Sequence, residues 1–340
     1  MGINFSLGAV VALVLACFLG VKAAGLNYFF GVTIPYVAIV AFLGGVIFRV
    51  LKWARSPVPF RIPTTAGQQK SLSWIPQSKL DNPSTKMQVV GRMILEVLLF
   101  RSLFRNTKFE MQKGPKFYYQ WEKWLWLAGL AFHYAFLVIL IRHLRFFTEP
   151  VPFFVHDIER LDGILQVGLP GVYITDIVFM VAVTYLLIRR LIIPQLRYIS
   201  LMQDFFPLFL LLAIGTTGIL TRYFIKVDLI KVKQLAMGLI SLKPVVPEGI
   251  GVIFFIHLFL VSTLFAYFPF SKLMHAGGVL LSPTRNLPND SRIIRHVNPW
   301  NYPVKVHTYA QYEDHFREKM VEAGLPVEKE LDEAAVPAKD

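Results

Sequence analysis

Six stretches of the chain stay apolar long enough to matter, near 5–21, 33–51, 121–143, 172–190, 204–223 and 249–275. A helix rises about 1.5 Å per residue, so roughly 20 apolar residues cross the hydrocarbon of a bilayer. The pattern predicts an all-α integral membrane protein with about six transmembrane helices. It divides the chain into an N-terminal pair of spans (1–51), a long polar connection (52–120), four further spans (121–280) and a polar tail (281–340). Within the tail, "YEDHFREKMVEAG" (312–324) has the spacing of a short amphipathic helix, and "VEKELDEAAVPAKD" is expected to be disordered or partner-bound. The first stretch sits where a signal peptide would. "MGINFSLGAV" carries no positive n-region, so a retained span is expected.

Charge adds an orientation. The 340 residues are 55% hydrophobic and 17% charged, with a net charge of +13. In a soluble protein that excess would suggest nucleic acid, but nothing resembles a base-reading module, so no nucleic-acid partner is expected. In a membrane protein Lys and Arg mark cytoplasmic loops. Arg49, Lys52 and Arg55 lie at the end of the second span, and Arg189, Arg190 and Arg197 crowd the short 189–203 connection. Both segments are placed inside, which puts 144–171 outside and both termini in the cytoplasm of a multi-pass protein of the cell inner membrane. Loop 224–248 runs against the rule, since it falls outside yet holds Lys226, Lys231, Lys233 and Lys243. The single cysteine, Cys17, rules out an internal disulfide. There is neither a C-x-x-C-H haem attachment nor a cysteine set for an iron–sulfur cluster.

The remaining candidate chemistry is histidine. Of eight histidines, His156, His296, His307 and His315 fall in loops or the tail and read as ordinary polar residues. The other four lie in or at the ends of spans, where an imidazole is costly without a partner. His133 and His143 are ten apart in "FHYAFLVILIRH", and His257 and His275 are eighteen apart. On straight helices these are axial separations of roughly 15 and 27 Å. The third and sixth spans run antiparallel, so His133 meets His275 near the inner side and His143 meets His257 near the outer side. Pro269 offers a kink that would reconcile the unequal spacings. Two imidazoles facing across a gap can hold a b-type haem by both axial positions. Gly129, Gly215 and Gly218 would allow close packing there. Other readings are a histidine proton channel or transporter, a plain anchor for soluble subunits, and the cytochrome b subunit of another quinone oxidoreductase. The first needs acidic partners within the membrane, and the spans hold little beyond Asp176 and Asp204 near their ends.

Several words of the sequence carry a family resemblance. The ten- and eighteen-residue histidine spacings, "LFAYFPFSKLMH" (264–275), "RRLIIPQLRYIS" (189–200) and "GILTRYF" (218–224) resemble the gamma subunit of respiratory nitrate reductase. The extra N-terminal span, the long basic loop after it and "FREKMVEAGLPVEKE" (316–330) are more similar to the DsrM/HmeC-type membrane cytochrome b of sulfate reducers, in the electron-transfer complex associated with dissimilatory sulfite reduction. The resemblance implies two b-type haems in 121–280, held by His133 with His275 and by His143 with His257. It also implies menaquinone or menaquinol as substrate and a cytoplasmic iron–sulfur partner resembling heterodisulfide reductase. Other membrane and periplasmic redox subunits would complete the complex. No P-loop, metal-hydrolase motif or flavin fingerprint is present, so the chain reads as an electron-transfer subunit and not a complete enzyme.

Two further expectations follow. Segment 52–120 and the tail, with Trp53, Trp74, Trp121 and Trp300, are expected to dock a soluble redox subunit, anionic headgroups being the alternative. Quinol is expected at the outer pair, where His156, Asp157 and Glu159 could accept protons and Arg142 and Arg145 could pair with haem propionates.

Overall fold

In a computed structural model, the structure describes residues 2–56, 70, 73–111, 117–163, 171–290 and 306–329. His296 and Trp300 lie outside the described residues. The chain forms two compact units, one comprising 1–56 with 61–293 and the other 57–60 with 294–340.

The first unit is a helical bundle. Helix α1 spans Gly2–Lys22, and a π-helical turn, Phe29–Thr33, leads into α2, Ile34–Ala54. Next come α3 (Lys86–Leu99), the short α4 (Arg101–Phe104) and the antiparallel strands β1 (Thr107–Met111) and β2 (Phe117–Trp121). Helix α5, Lys123–His143, is followed by α6 (Phe153–Asp162), α7 (Ile174–Ile192), α8 (Pro194–Ile199) and α9 (Met202–Ile219). A π-helical turn, Leu220–Phe224, closes α9. Helices α10 (Leu229–Ile240), α11 (Val252–Tyr267), α12 (His275–Leu281) and α13 (Pro283–Asn286) complete the unit.

Among the described residues five helices are long and apolar enough to cross a membrane: Gly2–Lys22, Phe29–Ala54, Lys123–Phe146, Met202–Phe224 and Val252–Phe270. The sixth expected span is present as α7, but Asp176, Arg189 and Arg190 at its ends set it apart from the five. It packs between α5 and α9. Val40, Ile47 and Phe48 on α2 are well exposed, as are Phe5 and Leu19 on α1. A soluble protein does not present so much apolar surface to water, and lipid covers it at no cost. The chain is an all-α integral membrane protein, the hairpin β1–β2 being the exception outside the spans.

Two apolar clusters hold the bundle. Val10 and Cys17 of α1 pack with Phe30, with Leu210 and Ile214 of α9, and with Phe255, Ile256 and Leu260 of α11. Ala135 of α5 packs with Phe179 and Val183 of α7 and with Leu211 of α9. Thus α5 leans on α7, α7 on α9, and α9 on α11. Helices α5 and α11, which carry three of the four membrane histidines, face each other without that close backbone packing.

Pro269 does more than kink the sixth span. Helix α11 stops at Tyr267; a 3-10 turn covers Phe268–Phe270, Ser271 is extended, and a second 3-10 turn, Lys272–Met274, precedes α12. A mid-helix proline removes a donor and collides with the preceding turn. Here the break is stabilised: the Ser271 hydroxyl accepts from the Leu273 N–H, and Pro269 is fully buried against α2. A Cβ on Gly45 would lie 2.5 Å from Pro269 Cγ, so the glycine is what lets α2 approach. His275 is therefore the first residue of α12 rather than the last of a continuous helix. Its eighteen-residue spacing from His257 is not a five-turn axial distance.

Segment 52–120 is folded where it is described. Thr85 caps α3 by accepting from the Gln88 N–H, while the Gln88 side chain accepts from the Ser84 N–H. Phe100 ends the helix with φ of 49°, a left-handed conformation unusual for a non-glycine residue. Trp126 donates to the Leu99 carbonyl and Tyr134 to that of Leu98, which ties the end of α3 to α5. The Arg101 and Arg105 guanidiniums hold the Asp81 carboxyl well below the usual carboxylate range. That contribution is complete above about pH 4 and fades only as pH falls further.

The second unit contains α14, Tyr309–Glu322, as the spacing of 312–324 leads one to expect. Thr308 caps it with Gln311, and the buried Glu313 carboxylate accepts from the Glu328 and Lys329 N–H groups. These bonds hold Glu313 below its ordinary carboxylate range.

Candidate functional site

The four membrane histidines come together as two pairs. His133 on α5 and His275 at the start of α12 have ring centroids 5.9 Å apart and planes at 83°. His143, at the end of α5, and His257 on α11 have centroids 6.5 Å apart and planes at 20°. Two imidazoles bound to opposite faces of one metal, with metal–nitrogen bonds of about 2 Å, place their centroids about 6 Å apart. Among the described residues no cluster of three or more His, Cys, Asp or Glu side chains could hold a bare metal ion.

Each imidazole is held by its Nδ1. His133 Nδ1 lies 2.7 Å from the Gly129 carbonyl, His143 Nδ1 2.7 Å from that of Ile139, and His275 Nδ1 2.9 Å from that of Lys272. A carbonyl only accepts, so each Nδ1 must carry the proton. His257 Nδ1 lies 3.0 Å from Thr217 Oγ1. That hydroxyl has its one hydrogen directed at the Ala213 and Ile214 carbonyls, so it too accepts. All four imidazoles are thereby fixed as the tautomer with a bare Nε2 lone pair. Histidines that bind metal are commonly oriented in this way.

Local sequence explains the placement. Gly129 and Ile139 each stand four residues before their histidine, so one α-helical turn supplies the acceptor. Gly218 lies opposite the His257 ring, where a Cβ would approach Cε1 to 3.3 Å. Gly215 serves packing instead: a Cβ there would come within 2.9 Å of Phe179 and closer still to Met180 on α7. Phe100 and Phe132 stand edge-on to His133, each with centroids 4.9 Å away. Neither Thr217 nor Phe100 stands out in the sequence as part of a site. Thr217 looks like an ordinary small helix residue, and Phe100 reaches His133 only because α3 folds back.

An ionic network lies beside the His143–His257 pair. Arg142 is buried, with Nη2 2.5 Å from Asp176 Oδ1. Its Nε is 3.2 Å from Asp162 Oδ2, close enough to pair but outside hydrogen-bond geometry. The Asp162 carboxylate also accepts from the Thr175 N–H and hydroxyl, and Tyr223 donates to Asp176. Arg145 pairs with Glu159 at 2.8 Å. Both arginines considered for propionate binding are thus already engaged by carboxylates. His156 and Asp157 are exposed on α6.

Comparison with known proteins shows the family. Residues 93–296 match the family described as nitrate reductase gamma subunit. A protein of Archaeoglobus fulgidus described as an Hdr-like menaquinol oxidoreductase cytochrome b-like subunit is 46% identical over 279 residues, 80% of this chain and 83% of the relative. One of the same description from Archaeoglobus profundus is 45% identical over 275 residues, 79% of this chain and 81% of the relative. The chain belongs to the nitrate reductase gamma subunit family, in the branch that holds these Hdr-like cytochrome b-like subunits.

Proposed function

We propose that the chain is the membrane dihaem cytochrome b subunit of a quinone oxidoreductase, carrying electrons between menaquinol and a cytoplasmic iron–sulfur partner resembling heterodisulfide reductase. The carrying observation is the arrangement of four imidazoles in two facing pairs, each with Nδ1 bonded and Nε2 bare. The donor set fits a haem at each pair, His133 with His275 and His143 with His257. Bound there, each haem b supplies a one-electron redox centre. The relatives' description as subunits of a menaquinol oxidoreductase supports the quinol side of the reading, and sulfate or sulfite respiration is the setting it suits best.

The protein's own part is to orient the ligands. Gly129, Ile139, Thr217 and Lys272 fix the ring tautomers, and Phe100 and Phe132 stand edge-on against the His133 ring. The basic segments 49–55 and 189–197 favour an orientation with the His133–His275 pair toward the cytoplasm, both termini inside, and the His143–His257 pair toward the opposite face. Segment 52–120 and the tail would then meet the soluble partner; Trp74 and Trp121 stand exposed there. Menaquinol gives up two protons with its two electrons. On the outer face the exposed His156 and Asp157 and the ion-paired Glu159 are the groups available to receive them.

The test is purification of the native complex. Added menaquinol analogue is expected to reduce the b-type absorption, and an iron–sulfur subunit is expected to co-purify and cross-link to segment 52–120 or the tail. A complex whose haem absorption ignores quinol contradicts the quinol assignment, and cross-links confined to lipid-facing helices contradict the docking assignment. A finer test is Thr217→Val, which keeps the shape but removes the acceptor for His257 Nδ1. Loss of such a partner typically lowers metal affinity about tenfold to hundredfold. The haem at the His143–His257 pair is expected to release faster by that order, with the other unchanged. Equal release rates would mean that Thr217 does not orient the ligand.

A further inference from the structure

Arg222 lies in the π-helical turn that closes α9, one turn beyond the Thr217 and Gly218 positions that seat His257. Such turns are frequent at functional sites because they re-aim side chains. The guanidinium carbon of Arg222 is 4.1 Å from the Tyr173 ring centroid, and that of Arg142 is 3.8 Å from the same ring. Both cations lie within electrostatic reach of His143. Their situations differ. Arg142 is matched by Asp162 and Asp176. Arg222 forms no ion pair with a described carboxylate, and its Nε is buried without a hydrogen-bond partner. A guanidinium at the end of a membrane bundle is expensive unless an anion meets it, and the faces of Tyr173 and, at 5.5 Å, Tyr223 do not discharge five N–H donors.

We propose that Arg222 binds a carboxylate of the group held between His143 and His257, a propionate of that haem, with Tyr173 as the platform that aims the guanidinium. The inference rests on the reading that a haem occupies this pair. Arginine suits the role because its planar fork matches a carboxylate by two parallel hydrogen bonds. Arg142 and Arg145, the arginines nearest the ligand in sequence, are spoken for. Arg222 is the cation beside the pair whose charge nothing described neutralises.

The experiment uses the full chain in its purified complex and compares Arg222→Gln, Arg222→Lys and His257→Ala. Transfer of haem to apomyoglobin and redox potentiometry are read for each haem separately. His257→Ala identifies which signal belongs to the pair. Arg222→Gln is expected to release that haem about tenfold to hundredfold faster, the usual worth of a hydrogen bond to a charged group. Its midpoint should also fall, because removing a nearby cation favours the oxidised state. Arg222→Lys should recover much of the midpoint, and the other haem should not change. If His257→Ala removes one signal while Arg222→Gln leaves its release and midpoint as in the wild type, the proposal is overturned and the site reading stands. If His257→Ala removes no signal, the site reading fails and takes the proposal with it. A variant altered only in quinol-driven reduction assigns Arg222 to the quinol and also overturns the proposal. Should neither Arg222 variant assemble, infrared redox difference spectra of wild-type protein carrying haem labelled at the propionate carbons decide. An ionised-carboxylate band from this haem in both redox states is expected; a protonated-acid band overturns the assignment.

Discussion

Replacing His257 with alanine is expected to remove one of two haem signals, and replacing His143 is expected to remove the same one. The rings of these residues face each other at 6.5 Å from α11 and α5, and nothing but their Nε2 atoms is left free to bind. An alanine leaves one axial ligand on one side and an apolar gap on the other. The total b-type absorption should fall by about half, since one of two centres is lost. His133→Ala and His275→Ala should remove the other signal and spare this one, because those rings meet at 5.9 Å. Reduced-minus-oxidised spectra of the four variants read the pattern directly. A common loss in His133→Ala and His257→Ala would mean that the facing rings do not share a group.

Arg142→Met is expected to destabilise the bundle by about 3–5 kcal/mol, the usual consequence of breaking a buried ion pair from one side. The substitution leaves Asp162 and Asp176 facing each other in a place where their side chains are 3% and 14% exposed. Adding Asp162→Asn and Asp176→Asn to Arg142→Met should restore most of the loss, since the neutral set no longer buries unmatched charge. The contrast is Arg105→Ala, which breaks a pair with Asp81 in which the arginine is 53% exposed. A surface pair of that kind contributes about 0–1 kcal/mol. Thermal unfolding in detergent separates the cases. An Arg142→Met protein with an unshifted midpoint would mean that water reaches the two carboxylates in the folded protein.

Much of this architecture is legible in the sequence because lipid imposes a simple rule. All six apolar runs form helices, five of them long and apolar enough to cross a membrane among the described residues, and the histidines stand out because the membrane punishes an imidazole without a reason to be there. What the hydropathy pattern hides is where a helix breaks. The run 249–275 is mostly apolar up to Phe270, so Pro269 reads as a kink, yet Ser271 and Gly45 together let the chain turn fully. Axial arithmetic on two antiparallel helices, one kinked at Pro269, predicts facing histidines; the actual juxtaposition depends on a full break, with α12 beginning afresh at His275. Segment 52–120 shows a different limit. Its basic residues draw attention to charge, while the cap at Thr85 and Gln88 that starts α3 is an equally plain signal. The ionic network was invisible for a simpler reason. Asp162 and Asp176 are 20 and 34 residues from Arg142 in sequence, and only the fold brings them together.

The most direct measurement is the haem content of the purified full-length protein, by pyridine haemochromogen absorption against protein mass. Two facing pairs with four bare Nε2 atoms predict two haem b per chain. One haem per chain would leave a pair of oriented histidines without a ligand and contradict the dihaem reading. No haem at all would return the four imidazoles to the proton-relay or structural roles that the sequence also allows.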